Sequence, residues 1–256
     1  MRTLKVTVAY DGAGYAGWQR QNGAPTIQAL LEAAFNEIEG RAVTVRGAAR
    51  TDAGVHALGQ VASARLTHSI DNAALARALN AKLPDDIRIL RVDAVADDFH
   101  AQYAARSKAY QYRLSLGPVA NPLERGHVWH VRQPLDLGKM QRAGAVLCGR
   151  HDFAAFQTAA GDMATTSTVR TIAELEIGRR PGPAWLGTLA CQIMTVDVVG
   201  DGFLRQMVRA IVGTLVEVGA GRFEAADVAA VLSSGRRERA GPTAPPHGLF
   251  LVRVDY

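Results

Sequence analysis

In the amino-terminal third of the chain the spacing of apolar residues switches from every second position to the helical three-and-four pattern and back, and this limits the fold more than any other feature. Leu4, Val6, Val8 and Tyr10 alternate with polar neighbours, as in a strand with one buried face. Ile27, Leu30, Leu31, Ala34, Phe35 and Ile38 then fall on one side of a helix expected to be capped near Thr26 and ended by Gly40. Strand-like segments follow at Val43 to Arg46 and Gly59 to Leu66, then an Asp71-capped helix running to Leu83-Pro84, then a strand from Ile87 to Val95. The order β-α-β-β-α-β is that of the split βαβ unit.

A second pass repeats the order without repeating the sequence. It comprises a strand at Lys108 to Leu116, a helix at Leu137 to Leu147, long strands at Val169 to Ile177 and Leu186 to Val199, a helix from Leu204 to Val218, an extra short helix near Ala225 to Leu232 and a last strand at Leu249 to Val254. The expected class is therefore α/β in the α+β sense. Two split-βαβ (ferredoxin-like) halves, 1–104 and 105–256, would build a mixed, mainly antiparallel sheet with helices on one side. The loop Phe153 to Thr168 and the segment Gly235 to Gly248 enlarge the second half. A cleft between halves is where a ligand site is first sought.

Composition removes several function classes. The first residues alternate instead of forming an apolar run, and no later stretch is long enough to span a bilayer, so a cytoplasmic protein without membrane contact is expected. Cys148 and Cys191 lie far apart without metal-ligand spacing and read as small core residues. Lysine plus arginine exceed aspartate plus glutamate by 29 to 24, a net charge of +5 that permits a polyanionic partner without requiring one. Only Lys5, Lys82, Lys108 and Lys139 are lysines, so nearly all the positive charge is guanidinium, suited to bidentate phosphate contacts and to stacking on bases; genome base composition produces the same bias.

Five strings or residue pairs raise candidate chemistry. Gly12-Ala13-Gly14-Tyr15-Ala16-Gly17 fits the dinucleotide fingerprint and follows a strand, but eight residues, Trp18 to Pro25, separate it from the next helix, and no acidic residue ends a second strand at the right distance. A nucleotide cofactor site is therefore not expected. Ala49 to Ala57 holds Asp52 between a turn-forming glycine and a strand, with Arg50 two residues before it. Thr-Asp-Ala-Gly alone reads as a turn, while an ordinary aspartate, ionised at neutral pH, could serve as nucleophile or base. Tyr110 and Tyr112 share a strand face and read as amphipathic core residues with their hydroxyls satisfied. Arg205 and Arg209 stand one turn apart beside the stripe Leu204, Met207, Val208, Ile211 and Leu215, where arginines commonly extend to solvent. His127 and His130 have ligand-like separation but no third ligand nearby, so no metal is expected.

Taken together, the strings resemble those of the bacterial tRNA pseudouridine synthases of the A type. Ala49 to Ala57 is similar to their active-site motif, with Ala49 where the family has glycine, and Tyr10-Asp11-Gly12 through Gly17-Trp18-Gln19-Arg20-Gln21 is similar to their amino-terminal signature. Lys108 to Tyr112, Phe203 to Arg209, Asp97 to Ala101, His151 to Phe156 and Thr243 to Val252 also match, so the resemblance spans nearly the whole chain. Gln102 departs from it, standing where the family often has arginine, which puts one phosphate contact in doubt.

The resemblance implies isomerisation of uridine to pseudouridine at positions 38, 39 and 40 of the tRNA anticodon stem-loop. It also implies tRNA as partner, a homodimer with a wide basic surface, and no cofactor, since the reaction needs neither redox change nor energy input. Asp52 would be catalytic, Tyr110 would stack on the extruded base with Tyr112 structural, Arg209 would pair with the Asp52 carboxylate, and Arg50 would help expel the target nucleotide. The loop from Tyr10 to Gln21 would be a mobile basic and aromatic arm against RNA. Two other classes stay in view: a tRNA-binding or chaperone module without catalysis, and a hydrolase, which would normally use a second carboxylate.

Overall fold

Strand β1 (Arg2–Tyr10) realises the amino-terminal alternation, with Leu4, Val6, Val8 and Tyr10 buried and Lys5, Thr7 and Ala9 partly exposed. The computed structural model describes residues 1–158, 167–180 and 192–256. The chain divides into a first unit, Met1–Lys108 with Phe250–Tyr256, and a second, Ala109–Leu249.

In the first unit, helix α1 (Ile27–Glu39) buries Ile27, Leu31, Ala34 and Phe35 and stops at Gly40, whose φ of 72° suits a residue without Cβ. Thr26 stands at its N-cap but makes no capping bond. The first helical N–H groups are satisfied from elsewhere: Ile27 donates to the Gly17 carbonyl (3.2 Å) and Gln28 to that of Trp18 (3.0 Å). Strand β2 is only Arg46–Gly47. The expected longer strand from Val43 is displaced because the Val43 and Val45 amides donate to the side chains of Asn36 (2.6 Å) and Glu32 (3.1 Å) on α1 instead of joining a ladder. Strand β3 (His56–Leu66) starts earlier than expected, and α2 (Asn72–Lys82) is capped by Asp71, which accepts from Ala73 and Ala74. Strand β4 (Ile87–Val95) completes the unit.

The strands lie in the order β4-β1-β3 with β2 on the outer edge of β3, all antiparallel, which is the split βαβ arrangement. The register pairs Leu4 with Ala64, Val6 with Ala62 and Val8 with Gln60, so Gln60 lies on the buried face. The same outer edge of β3 is shared by the end of the chain. The carboxy-terminal strand, numbered β10 in chain order (Leu249–Asp255), runs parallel to β3 through Phe250 against His56 and Leu251 against Ala57.

Glu39 ends α1, where the helix dipole disfavours a carboxylate. Burial also raises its pKa, but hydrogen bonds from the Thr67 hydroxyl and amide, the His68 amide and Arg41 outweigh it and bring the group from 4.5 to about 2. Its contribution to stability is therefore fully present above the ordinary carboxylate range and lost as pH falls from 4.5 toward 2. Glu39→Gln should lower the melting temperature at pH 7, with a smaller deficit at pH 3. An equal deficit at both, read by circular dichroism, would contradict this assignment.

The second unit holds β5 (Ser107–Leu116), which begins at the unit boundary, β6 (Trp129–Val131), α3 (Leu137–Leu147), β7 (Gly149–Asp152), β8 (Val169–Arg180), β9 (Gln192–Gly200), α4 (Met207–Gly219) and α5 (Ala225–Ser234). Its strand order is β5-β9-β8-β7, antiparallel from β9 to β7, with β6 parallel to β5. Helix α3 packs against β8, α4 and α5. The short strands β6 and β7 were not expected from the apolar pattern. The expected strand start at Leu186, Cys191 and the middle of the loop after Phe153 lie outside the described residues. Cys148 is partly exposed, not core.

Helix α4 begins at Met207, three residues later than its apolar stripe suggests, so Arg205 precedes the helix instead of sharing a flank with Arg209. Gln206 blocks the extension: its φ of 60° makes it the one non-glycine residue with a left-handed backbone among those described.

Candidate active site

Asp52 lies in the turn between β2 and β3, half-buried, with Arg50 exposed before it. The Val55 amide donates to the Asp52 carbonyl (3.1 Å), closing the turn, and Gly54 supplies the φ of 76° this requires. The turn reading of Thr-Asp-Ala-Gly therefore holds for the backbone, and Asp52 itself is left half-buried.

The segment before the turn is held from beneath. Gln60, fully buried on β3, donates from Nε2 to the Ala49 carbonyl (2.8 Å) and accepts the Ala49 amide at Oε1 (3.3 Å). Thr51, also buried, has its hydroxyl 2.8 Å from the Tyr10 hydroxyl, and its carbonyl accepts the Trp18 amide (3.0 Å). Burial pushes the Tyr10 phenol up to about 12 against the lowering pull of Thr51 and Gln60, so it stays protonated at working pH.

The loop Asp11 to Gln21 packs directly behind this turn. A Cβ at Gly12 would lie 2.0 Å from the Val55 carbonyl oxygen, and one at Gly17 would lie 2.5 Å from that of Thr51. The Gly12 amide donates to Nδ1 of His56 (3.1 Å), and an Asp11 carboxylate oxygen is 3.0 Å from the same nitrogen. The buried His56 ring stacks on Phe250 with centroids 4.8 Å apart. The expectation of a mobile arm against RNA is corrected here. Trp18 is buried against Gly47, where an added Cβ would meet the indole at 2.4 Å, and Arg20 pairs with Glu32 of α1 at 2.7 Å. Tyr15 donates to Asp86 (2.5 Å), and the loop's Gly17 and Trp18 carbonyls cap α1. The glycine-rich string packs the Asp52 turn, and Gly12 and Gly17 serve close backbone approach.

Tyr110 and Arg209 belong to the second unit. Tyr110 is buried on β5 with its ring edge-on to Phe203, centroids 5.0 Å apart. Tyr112, wholly buried two residues on, donates its hydroxyl to the Pro245 carbonyl (2.8 Å) and so plays the structural part expected of it. Arg209, half-buried in the first turn of α4, donates from Nε to the Ala244 carbonyl (2.8 Å), while the Ala244 amide donates back to the Arg209 carbonyl (3.1 Å). This reciprocal pair fixes the root of the guanidinium. It depends on close approach of the segment to α4, since a Cβ at Gly213 would lie 1.6 Å from the Pro242 carbonyl oxygen. Next in that segment, His247 has its pKa lowered by burial, then by the charges of Arg209 and His127, against a bond to the Val128 backbone, so it is neutral at pH 7. His130 bonds the Gly117 carbonyl through Nε2 (2.7 Å).

Gln60, Tyr10 and Thr51 under the Asp52 turn, and Phe203 and Ala244 beside Tyr110 and Arg209, were not singled out individually by the sequence reading. The signals were present in Val8 opposite Gln60 on the paired strands, and in the Gly-Pro-Thr-Ala-Pro-Pro-His-Gly run, which is too rich in proline for a helix or a central strand.

A family model described as tRNA pseudouridine synthase matches residues 6–104 and 143–256. Curated proteins named tRNA pseudouridine synthase A from Pelobacter propionicus and Acetivibrio thermocellus are 44% and 43% identical over 256 residues, covering the whole of each pair of chains. Another of that name from Myxococcus xanthus is 43% identical across all of this chain and 92% of its own. With a half-exposed aspartate on a braced turn in the matched region, and identity above 40% from end to end, the chain belongs to the tRNA pseudouridine synthase family.

Proposed function

We propose that this protein isomerises uridine to pseudouridine in tRNA, at positions 38, 39 and 40 of the anticodon stem-loop. The observation that carries the reading is the Asp52 turn, in which Ala49 and Thr51 are pinned by buried partners while Arg50 is exposed and Asp52 half-buried. The reaction breaks the N1–C1′ bond, turns the uracil and joins C5 to C1′; the C5 proton leaves and N1 gains one, so substrate and product are isomers. Asp52 acts as the catalytic carboxylate, by attack at C1′, addition at C6 or removal of a ribose proton. Tyr110 holds the uracil by stacking, Arg209 serves the Asp52 carboxylate, and Arg50 assists extrusion of the nucleotide. Extrusion costs a few kcal/mol, least where pairing is weak, which suits the edge of a loop.

Family resemblance extends the proposal to a homodimer working in the cytoplasm; among the described residues no helix is long and apolar enough to cross a membrane. Incubation with tRNA tritiated at uridine C5 tests the central claim. Release of tritium to water without strand cleavage or free uracil is the expected result. Binding without release would leave a tRNA-binding module, and free uracil would mean a hydrolase.

A further inference from the structure

We infer that Gln60, Tyr10 and Thr51 are positioning residues that aim the Asp52 carboxylate, an inference resting on the reading of Asp52 as catalytic. All four hydrogen-bonding positions of the Gln60 side chain are engaged: Oε1 accepts from the amides of Ala49 (3.3 Å) and Val61 (3.2 Å), and Nε2 donates to the Ala49 carbonyl (2.8 Å) and the Tyr10 hydroxyl (3.5 Å). The Tyr10 hydroxyl in turn meets Thr51 Oγ1 at 2.8 Å.

A buried amide is costly unless satisfied, and here each of its hydrogen-bonding positions is met. What glutamine adds is grip on a particular piece of backbone. It holds Ala49 by both its N–H and its C=O, three residues before Asp52, while Tyr10 holds Thr51, the residue immediately before it. The backbone of Ala49 and the side chain of Thr51 are thereby fixed. Arg50, exposed, and Asp52, half-buried, are joined directly to these two held residues, so the same contacts set where their side chains start from. The turn after Asp52 is braced separately, by Val55 on the Asp52 carbonyl and by the close approach of Gly17. The network therefore acts on the approach to the carboxylate, and loosening it changes where the acid points without removing the acid.

The test separates aiming from folding. Gln60→Leu, Tyr10→Phe and Thr51→Val should each lower kcat for tritium release about tenfold to 10²-fold, the loss typical of a small misplacement of a reacting group. KM for tRNA should stay within about twofold, since the interaction lost acts on the transition state and not on uniform binding. Thr51→Ser, which keeps the hydroxyl, should return most of the rate. The double variant Tyr10→Phe with Thr51→Val should be no slower than the worse single, because both remove one shared contact. In parallel, amide hydrogen exchange of the peptide from Ala48 to His56, without RNA, should be faster in Gln60→Leu. Should Gln60→Leu fail to fold, the Tyr10 and Thr51 variants decide the matter. Unchanged kcat in the folded variants, or additive losses in the double variant, would overturn the inference. A wild type that releases no tritium would instead remove the proposed reaction, and the exchange measurement would still report whether the clamp exists: unchanged exchange in Gln60→Leu overturns it on its own.

Discussion

Asp52→Asn should abolish tritium release, lowering it by at least about 10³-fold, the scale seen when a group that forms or breaks bonds is removed. The substitution replaces a carboxylate with an amide of nearly the same shape, so little else changes. The Val55 amide bonds the Asp52 backbone carbonyl at 3.1 Å, and the residues before it are held through Ala49 and Thr51, contacts that the substitution leaves in place. The fold and the affinity for tRNA, measured by filter binding, should therefore survive. Asp52→Glu keeps the charge but moves it by one methylene, and a displacement near 1 Å costs about 10²-fold where geometry is critical. The expected ranking is wild type, then Glu, then Asn. Full activity in Asp52→Asn would end the catalytic assignment, and loss of tRNA binding in step with activity would make Asp52 a binding residue.

The parts of the structure that sequence made legible are those encoded by local spacing. Leu4, Val6, Val8 and Tyr10 alternate and are buried; the stripe from Ile27 to Phe35 makes α1, and Asp71 and Gly40 punctuate their helices as residues of their kind do. What stayed hidden depends on partners distant in the chain. Apolar spacing reports burial and not backbone angle, so Leu204, which is buried, prolonged the apparent helix through Gln206, where the left-handed backbone ends it. Val43 and Val45 are buried like strand residues, yet their amides are taken by Asn36 and Glu32, a competition invisible in their own spacing. Pairing of β10 alongside β3 joins residues almost two hundred positions apart, as Phe250 opposite His56 shows, and nothing in either segment names the other.

The same division runs through the candidate site. Asp52, Arg50, Tyr110 and Arg209 stand out in the sequence as candidates because their strings resemble those of a family. The residues that hold them were not: Arg209 is fixed through Ala244, 35 residues away, and Ala49 through Gln60 across a strand edge. Trp18 misled for a related reason. An aromatic residue in a glycine-rich loop with arginine nearby suggests contact with RNA, whereas the indole is the filling between that loop and Gly47.

The glycine-rich loop offers the other large effect, because its three fingerprint glycines should respond in an order set by packing. Gly17→Ala places a Cβ 2.5 Å from the Thr51 carbonyl oxygen at a residue with φ of 94°. A left-handed backbone costs a residue with Cβ roughly 1–2 kcal/mol, and overpacking against backbone that cannot move aside adds about 1–3 kcal/mol. At about 2–4 °C per kcal/mol for a chain of this size, the melting temperature should fall on the order of 10 °C. The clash also presses on the residues flanking Asp52, with the Ala53 amide 3.1 Å from the added atom, so turnover should fall even at temperatures where the variant is folded. Gly12→Ala meets the Val55 carbonyl at 2.0 Å, on the far side of the same turn, and should be comparably damaging. Gly14→Ala has nothing within 4 Å and no unusual φ, so it should be neutral to within about 0.5 kcal/mol. A dinucleotide-binding loop would rank them differently, since there the middle glycine lets the backbone approach the pyrophosphate. Thermal unfolding and tritium release on the three single variants decide between the orders: a Gly14→Ala variant as impaired as Gly17→Ala would mean that this loop does something other than brace the Asp52 turn.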